Sequence, residues 1–168
     1  MIRPCTAADV PEIFTIVNDA AQAYQGVIPA DRWHEPYMPL EELQDEIAAC
    51  VKFWGYEEDR RLVGVMGMQP VKDVTLIRHA YVRTENRNHG AGGKLLRHLL
   101  ERIEGKILVG TWQAAGWAVR FYQKHGFQLV GTEEKDRLLS AYWQIPSRQI
   151  ETSVVLVCNA PPTLSVKG

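Results

Sequence analysis

Ala80-Tyr81-Val82-Arg83-Thr84-Glu85-Asn86-Arg87-Asn88-His89-Gly90-Ala91-Gly92-Gly93-Lys94 is the most informative stretch of the chain. An apolar and aromatic run ends at Val82, and a polar loop follows. Glycines then open a segment with Leu95, Leu96, Leu99, Leu100 and Ile103 on one side. This reads as strand, turn and amphipathic helix. The first N–H groups of a helix have no partner inside it, and the helix dipole adds positive potential there. Glycines let a phosphate approach that backbone closely. Arg87, Arg83 and His89 add positive charge. The turn is a candidate phosphate site, with an ordinary strand-to-helix turn as the plainer alternative. Two familiar phosphate motifs fail. A P-loop needs Ser or Thr after Gly-Lys, and here Leu95 follows Gly93-Lys94, while the first glycine position holds Asn88. The dinucleotide fingerprint needs a third glycine where Leu95 stands.

Outward from this turn, strands are expected at 2–5, 52–56, 62–71, 74–82, 106–111, 127–133 and 153–157. Thr6-Ala7-Ala8-Asp9 reads as a helix N-cap. The apolar residues Val10, Ile13, Phe14, Val17, Ala20, Ala21 and Tyr24 follow at helical spacing. Segment 25–39 carries Gly26, Pro29, Pro36 and Pro39 and should be irregular. Helices are expected over 40–50, from near Gly92 to a stop at Gly105, and over 117–125. The stretch between 133 and 153 has no clear assignment. The class is α/β (α+β): a mixed, mostly antiparallel central sheet of about seven strands flanked by about four helices. Residues 1–158 form one domain, and 159–168, with Pro161-Pro162, form a flexible C-terminal tail.

Composition narrows the function. The chain has 168 residues, 46% hydrophobic and 23% charged, which fits one globular domain with its own core. Nineteen basic against twenty acidic residues give a net charge of −1, so nothing draws it to nucleic acid or anionic membrane. No apolar run is long enough to span a bilayer. The opening lacks a signal peptide's basic and apolar regions. Cys5, Cys50 and Cys158 are odd in number and far apart, as reduced thiols of a cytoplasmic protein would be. The five histidines show no metal-ligand spacing, so no metal is expected.

A second motif lies downstream: Ala118-Val119-Arg120-Phe121-Tyr122-Gln123-Lys124-His125-Gly126-Phe127. With Arg87-Asn88-His89-Gly90-Ala91-Gly92 after a strand ending Ala80-Tyr81-Val82, and with the Ile2-Arg3-Pro4 opening, the chain resembles the GNAT superfamily of acyl-CoA-dependent N-acyltransferases. The resemblance covers residues 2–157. It implies acetyl-CoA as co-substrate, with Arg87, Asn88, His89, Gly90, Ala91, Gly92 and Gly93 around its pyrophosphate. It also implies that the pantetheine pairs with Ala80, Tyr81 and Val82. Tyr122 matches the tyrosine that in many members protonates the departing thiolate. One departure is Gly116, where many members carry an asparagine; Thr111, Trp112 and Gln113 are candidates to replace its contact. A homodimer is a further family-level expectation.

The implied reaction acetylates a primary amine by direct attack in a ternary complex. An alkyl amine of reference pKa ~10.4 is neutral in about one molecule in 2,500 at pH 7, a penalty of about 4.6 kcal/mol, so a base matters. His79 is a candidate. Strict alternation puts Leu76, Arg78 and Ala80 on one face and His79 on the other. A β-bulge would bring His79 round, and a hydrogen-bonded core histidine is the alternative. Trp33, Glu35 and Tyr37 are candidate acceptor contacts suited to a small cationic amine. Tyr142 and Trp143 are candidates for the opposite wall, and His98 and His125 read as structural. A non-catalytic acyl-CoA-binding sensor on the same fold is the alternative function; a nucleotide-binding protein fits less well.

Overall fold

A computed structural model describes residues 1–160, so segment 161–168 of the expected tail lies outside the described residues. Seven strands form one sheet: β1 (Ile2–Pro4), β2 (Lys52–Glu58), β3 (Arg61–Val71), β4 (Val74–Val82), β5 (Gly105–Trp112), β6 (Gln128–Leu129) and β7 (Ser153–Ala160). Their order is β1-β2-β3-β4-β5-β7-β6. Among the described residues only β4 and β5 pair in parallel, and every other neighbouring pair is antiparallel, so the sheet is mixed as expected. The parallel pair needs a crossover, and α3 (Ala91–Leu100) supplies it. The other helices are α1 (Val10–Ala20), α2 (Leu40–Ala48), α4 (Gly116–Lys124), α5 (Thr132–Tyr142) and α6 (Ser147–Glu151).

Two layers of helix bury the sheet. On one face Leu95, Leu96 and Leu99 of α3, with Tyr122 of α4, pack on Met66, Ile77, Ile107, Val109 and Leu156. On the other face α1 and α2 cover β2 and β3 through Ile13, Ile16, Val17 and Leu43 against Phe53, Leu62 and Val65. Leu138 and Leu139 of α5 cover Val74, Leu76, Leu108 and Val155. Among the described residues no helix is long and apolar enough to cross a membrane.

The sheet class matches the expectation, and the differences are local. The strand expected over 127–133 is only Gln128–Leu129, and α5 begins at Thr132. Glu133 and Glu134 in the first turn of α5 favour its positive end, and Leu138, Leu139 and Tyr142 supply its apolar side. The final strand continues through Asn159 and Ala160, which pair with Lys106 and Gly105.

The start of α1 is tied to the sheet. Asp9 accepts the Thr6 N–H at 2.7 Å and holds Arg3 of β1 through contacts of 2.9 and 3.0 Å. The hydrogen bond from Arg3 outweighs burial and lowers the Asp9 carboxyl to about 2. A depressed carboxyl stabilises the fold above its unfolded value of ~3.9, and that contribution is lost as pH falls through about 2. Asp9→Asn is therefore expected to cost about 1–2 kcal/mol at pH 7. Denaturant melts should show the gap between variant and parent closing as pH falls from about 4 toward 2.

Candidate functional site

The parallel strands β4 and β5 pair only where Val74–Ile77 meets Lys106–Val109. Beyond Ile77 and Val109 they part, which leaves the β5-facing edge of Arg78–Val82 without a strand partner. Two clefts reach this gap. One, of about 670 Å³, lies on the α3 and α4 side, lined by Ala80, Tyr81, Val82, Gly90, Gly92, Gly93, Phe121 and Tyr122. The other, of about 470 Å³, lies on the α2 and α5 side and includes Glu42, Glu46, Arg78, His79, Trp112 and Trp143. Tyr24 and Tyr81 line both, so the clefts meet at these two rings.

A bulge in β4 sets the chemistry of the second cleft. Val65 pairs with Tyr81 and Gly67 with Arg78, so Met66 faces the two residues His79 and Ala80. His79 takes a left-handed φ of 55° to make room. Strict alternation therefore fails here. Leu76 packs on the α5 side, Arg78 and His79 both reach Glu46 of α2, and Ile77 and Ala80 pack on the α3 side. Arg78 and Ala80 thus lie on opposite faces, and His79 shares a face with Arg78. His79 Nε2 meets a Glu46 carboxylate oxygen, and its ring lies between Phe53 and Tyr81. Burial alone would push the Glu46 carboxyl up. The hydrogen bond from His79 and the charges of His79 and Arg78 outweigh burial and hold it below the usual range. Glu42, one helical turn earlier, is raised by burial and by Glu46.

The first cleft contains the glycine turn. Asn88 and Gly90 take φ of 65° and 86°, and α3 begins at Ala91. Lys94 N–H makes the first helical bond, to Gly90 at 3.0 Å, which leaves the Ala91, Gly92 and Gly93 N–H groups without a helical acceptor. A Cβ on Gly93 would sit 3.2 Å from His125 Nε2 and 3.3 Å from Arg97 Nη1. Arg87, Lys94, Arg97 and Lys124 line the same cleft. Free amides, glycines and four cations fit a diphosphate. Two expected contributors lie elsewhere. Arg83 is buried, donating to Leu62 O at 2.7 Å and to Glu12 at 3.2 Å, so its charge is spent inside the fold. His89 is exposed and lines neither cleft. His125, read as structural, instead lines the first cleft, with its Nδ1 donating to Phe121 O.

Tyr122 is 5% exposed and lines the first cleft; burial pushes its hydroxyl well above the tyrosine range, so it keeps its proton at neutral pH. Trp117 lines that cleft too and stacks on Tyr24 at 6.0 Å. Gly116 is the first residue of α4, and Thr111 and Trp112 line the second cleft. Gln113 lines neither.

Of the expected acceptor contacts, Tyr37 lines the second cleft, and its hydroxyl accepts Trp112 Nε1–H at 2.7 Å. Trp33 stacks behind it at 5.9 Å. Glu35 is exposed and lines neither cleft. Trp143 lines the wall from α5, and Tyr142 turns away to bond Asp73 at 2.6 Å. The carboxylates in this cleft come from Glu42 and Glu46, which sequence reading missed. Their signal is a spacing of four on α2, hidden because Glu41, Glu42, Asp45 and Glu46 look like a solvated helix face.

A family model of the acetyltransferase (GNAT) domain matches residues 18–141. The chain is 23% identical over 143 residues to a peptidyl-lysine N-acetyltransferase, YiaC, of Escherichia coli, covering 85% of this chain and 93% of that protein. It is 32% identical over 89 residues to human N-acetyltransferase 8, covering 47% of this chain and 39% of that protein. A solved structure of the PaiA N-acetyltransferase of Thermoplasma acidophilum in complex with coenzyme A shares the fold. Its TM-score is 0.71 at 16% identity, over 95% of this chain and 98% of that one.

Gly90 has nothing within 4 Å of an added Cβ, but its φ is left-handed. Gly90→Asp strains that turn and sets a carboxylate at the anion site. It is expected to weaken acetyl-CoA binding by about tenfold or more in calorimetry. Unchanged affinity in the folded variant would move the phosphate site elsewhere.

Proposed function

The chain belongs to the GNAT acetyltransferase family, and we propose that it transfers acetyl from acetyl-CoA to the primary amine of a small molecule by direct attack in a ternary complex. The observation that carries this reading is the meeting of the two clefts where β4 and β5 part, one lined by the glycine turn and cations and one by His79 against Glu46. Bound acetyl-CoA supplies the electrophile: a C–N bond forms, the C–S bond breaks, nitrogen loses a proton and sulfur gains one.

The chain's own groups serve each requirement. The Ala91, Gly92 and Gly93 amides, with Arg87 and Lys94, hold the diphosphate. The unpaired edge of Ala80 to Val82 holds the pantetheine in extended form. Tyr122, protonated in its buried site, donates to the thiolate. His79 with Glu46 takes the amine's proton, directly or through one water. A carboxylate only accepts, so Nε2 is the nitrogen that donates to Glu46, and Nδ1 is the ring nitrogen left to take the amine's proton. A sensor that only bound acyl-CoA would have no use for this pair. A cleft of about 470 Å³ suits a small acceptor. Three free cysteines suit a reducing cytoplasm.

An amine screen by free-thiol release, after calorimetry with acetyl-CoA, tests the reading; absence of acetyl-CoA binding would remove it. Tyr122→Phe is expected to lower kcat about a hundredfold with acetyl-CoA affinity unchanged. His79→Ala should lose about a hundredfold or more in kcat and recover part of it with added imidazole. Full activity in either variant would return that residue to packing.

A further inference from the structure

The second cleft contains a cation whose one counter-ion among the described residues is distant and shared. Arg32 lines it from the irregular segment between α1 and α2. Its Nε is buried and has no hydrogen-bond partner among the described residues. The nearest carboxylate oxygen, Asp31 Oδ2, is 4.0 Å away. Both oxygens of that carboxylate are already taken. Arg148 of α6 donates Nε–H to Oδ2 at 2.9 Å and Nη2–H to Oδ1 at 3.2 Å, the two-pronged geometry that suits a guanidinium. Asp31 is thus bound closely by Arg148 and only at 4.0 Å by Arg32, which lines the cleft.

The acidic part of the same cleft is compensated separately. Glu46 meets His79 and lies 3.6 Å from Arg78, and the charges acting on Glu42 are those of Glu46, His79, His34 and Arg78. The cleft is therefore polarised, with carboxylates on α2 and His79 on β4 at one part and the Arg32 guanidinium on the loop at another. Tyr37 and Trp143 supply apolar wall within it.

We propose that Arg32 receives a carboxylate carried by the acceptor, whose amine lies at the His79–Glu46 pair. The acceptor is then amino-acid-like, with amine and carboxylate at opposite ends of one small molecule or short peptide. This rests on the acetyl-transfer reading and names its substrate class. Arg148 is a positioning residue that acts through Asp31.

The test compares ω-amino acids with n-alkylamines of matched length, and free amino acids with dipeptides, by kcat/KM in free-thiol release. The wild type is expected to favour the carboxylate-bearing amine about tenfold or more, the scale of one charge-assisted hydrogen bond. Arg32→Gln should erase that ratio. Arg148→Gln should reduce it as well, because the released Asp31 neutralises Arg32. Asp31→Asn should preserve or raise it. A merely structural clasp would give Arg148→Gln and Asp31→Asn the same effect, since both break one ion pair; that result overturns the proposal. So does a wild type that acetylates alkylamines as well as amino acids, which leaves acetyl transfer itself standing. Preference for dipeptides over free amino acids assigns the carboxylate to a peptide terminus, and the reverse assigns it to a free amino acid; both support the proposal. Transfer to neither series removes the acetyl-transfer reading along with this one.

Discussion

The parting of two parallel strands is the constraint on which the rest depends. β4 and β5 share four register positions and then separate. Backbone N–H and C=O groups in a sheet need partners, so a strand loses its neighbour only where solvent or a ligand takes over. Below the parting, Ile77 and Val109 sit in a close-packed core under α3 and α4. Above it, the same two strands become the walls of a gap. β5 stays in register with β7 through Trp112, so the sheet remains continuous while its centre opens. Gly110 sits where β5 leaves its parallel partner. A Cβ there would lie 3.3 Å from the Trp143 indole, so the missing side chain lets α5 close that wall.

The bulge at His79 lies on the same stretch of β4, and the two irregularities act together. One opens the edge of the strand, and the other changes which side chains point to which face. The extra residue sends Arg78 and His79 together toward α2 and returns Ala80 to the α3 face. Glu46 is then a half-buried carboxylate with two cationic or donor groups against it, and its charge is stable there. Glu42 shares the helix face but lacks such a partner, and burial favours its neutral form. Two carboxylates one turn apart are thus tuned in opposite directions by what faces them.

How much of this was legible follows from the range of each signal. The glycine turn, the amphipathic α3 and the Ala118 to Phe127 segment are local patterns, and they gave the fold and the first cleft. Tyr122 lies in the last of these patterns, and the fold sets it in the lining of that cleft. The bulge could be named as an option at His79 but not located, because it depends on the register of β3 against β4. Arg83 looked like a phosphate ligand in a basic loop; only the tertiary fold brings Glu12 and the Leu62 carbonyl to it. Glu46 was invisible for the same reason, since its partner is thirty-three residues away. The start of α5 was not read: the apolar run from Phe127 to Val130 suggested a strand reaching Glu133, and the helix's covering role depends on Val74, Leu76 and Val155, which are distant in sequence.

The loop that lines the second cleft shows how an irregular segment can be held in place. Segment 25–39 has four turns' worth of glycine and proline signals and little regular structure. Its order comes from two anchors on the scaffold. Asn18 of α1 bonds both the N–H and the C=O of Met38, at 2.8 and 3.0 Å, replacing the backbone partners a strand would have provided. Trp112, at the end of β5, fixes the Tyr37 hydroxyl. Met38 is almost fully buried, so this end of the loop is held by core packing as well. The groups assigned to proton transfer, His79 and Tyr122, lie instead on β4 and α4. In the proposed reaction, chemistry and recognition therefore rest on different parts of the fold. The loop tip around Asp31 and Arg32 is then free to change sequence, and with it the proposed acceptor preference, without disturbing either the bulge or the glycine turn.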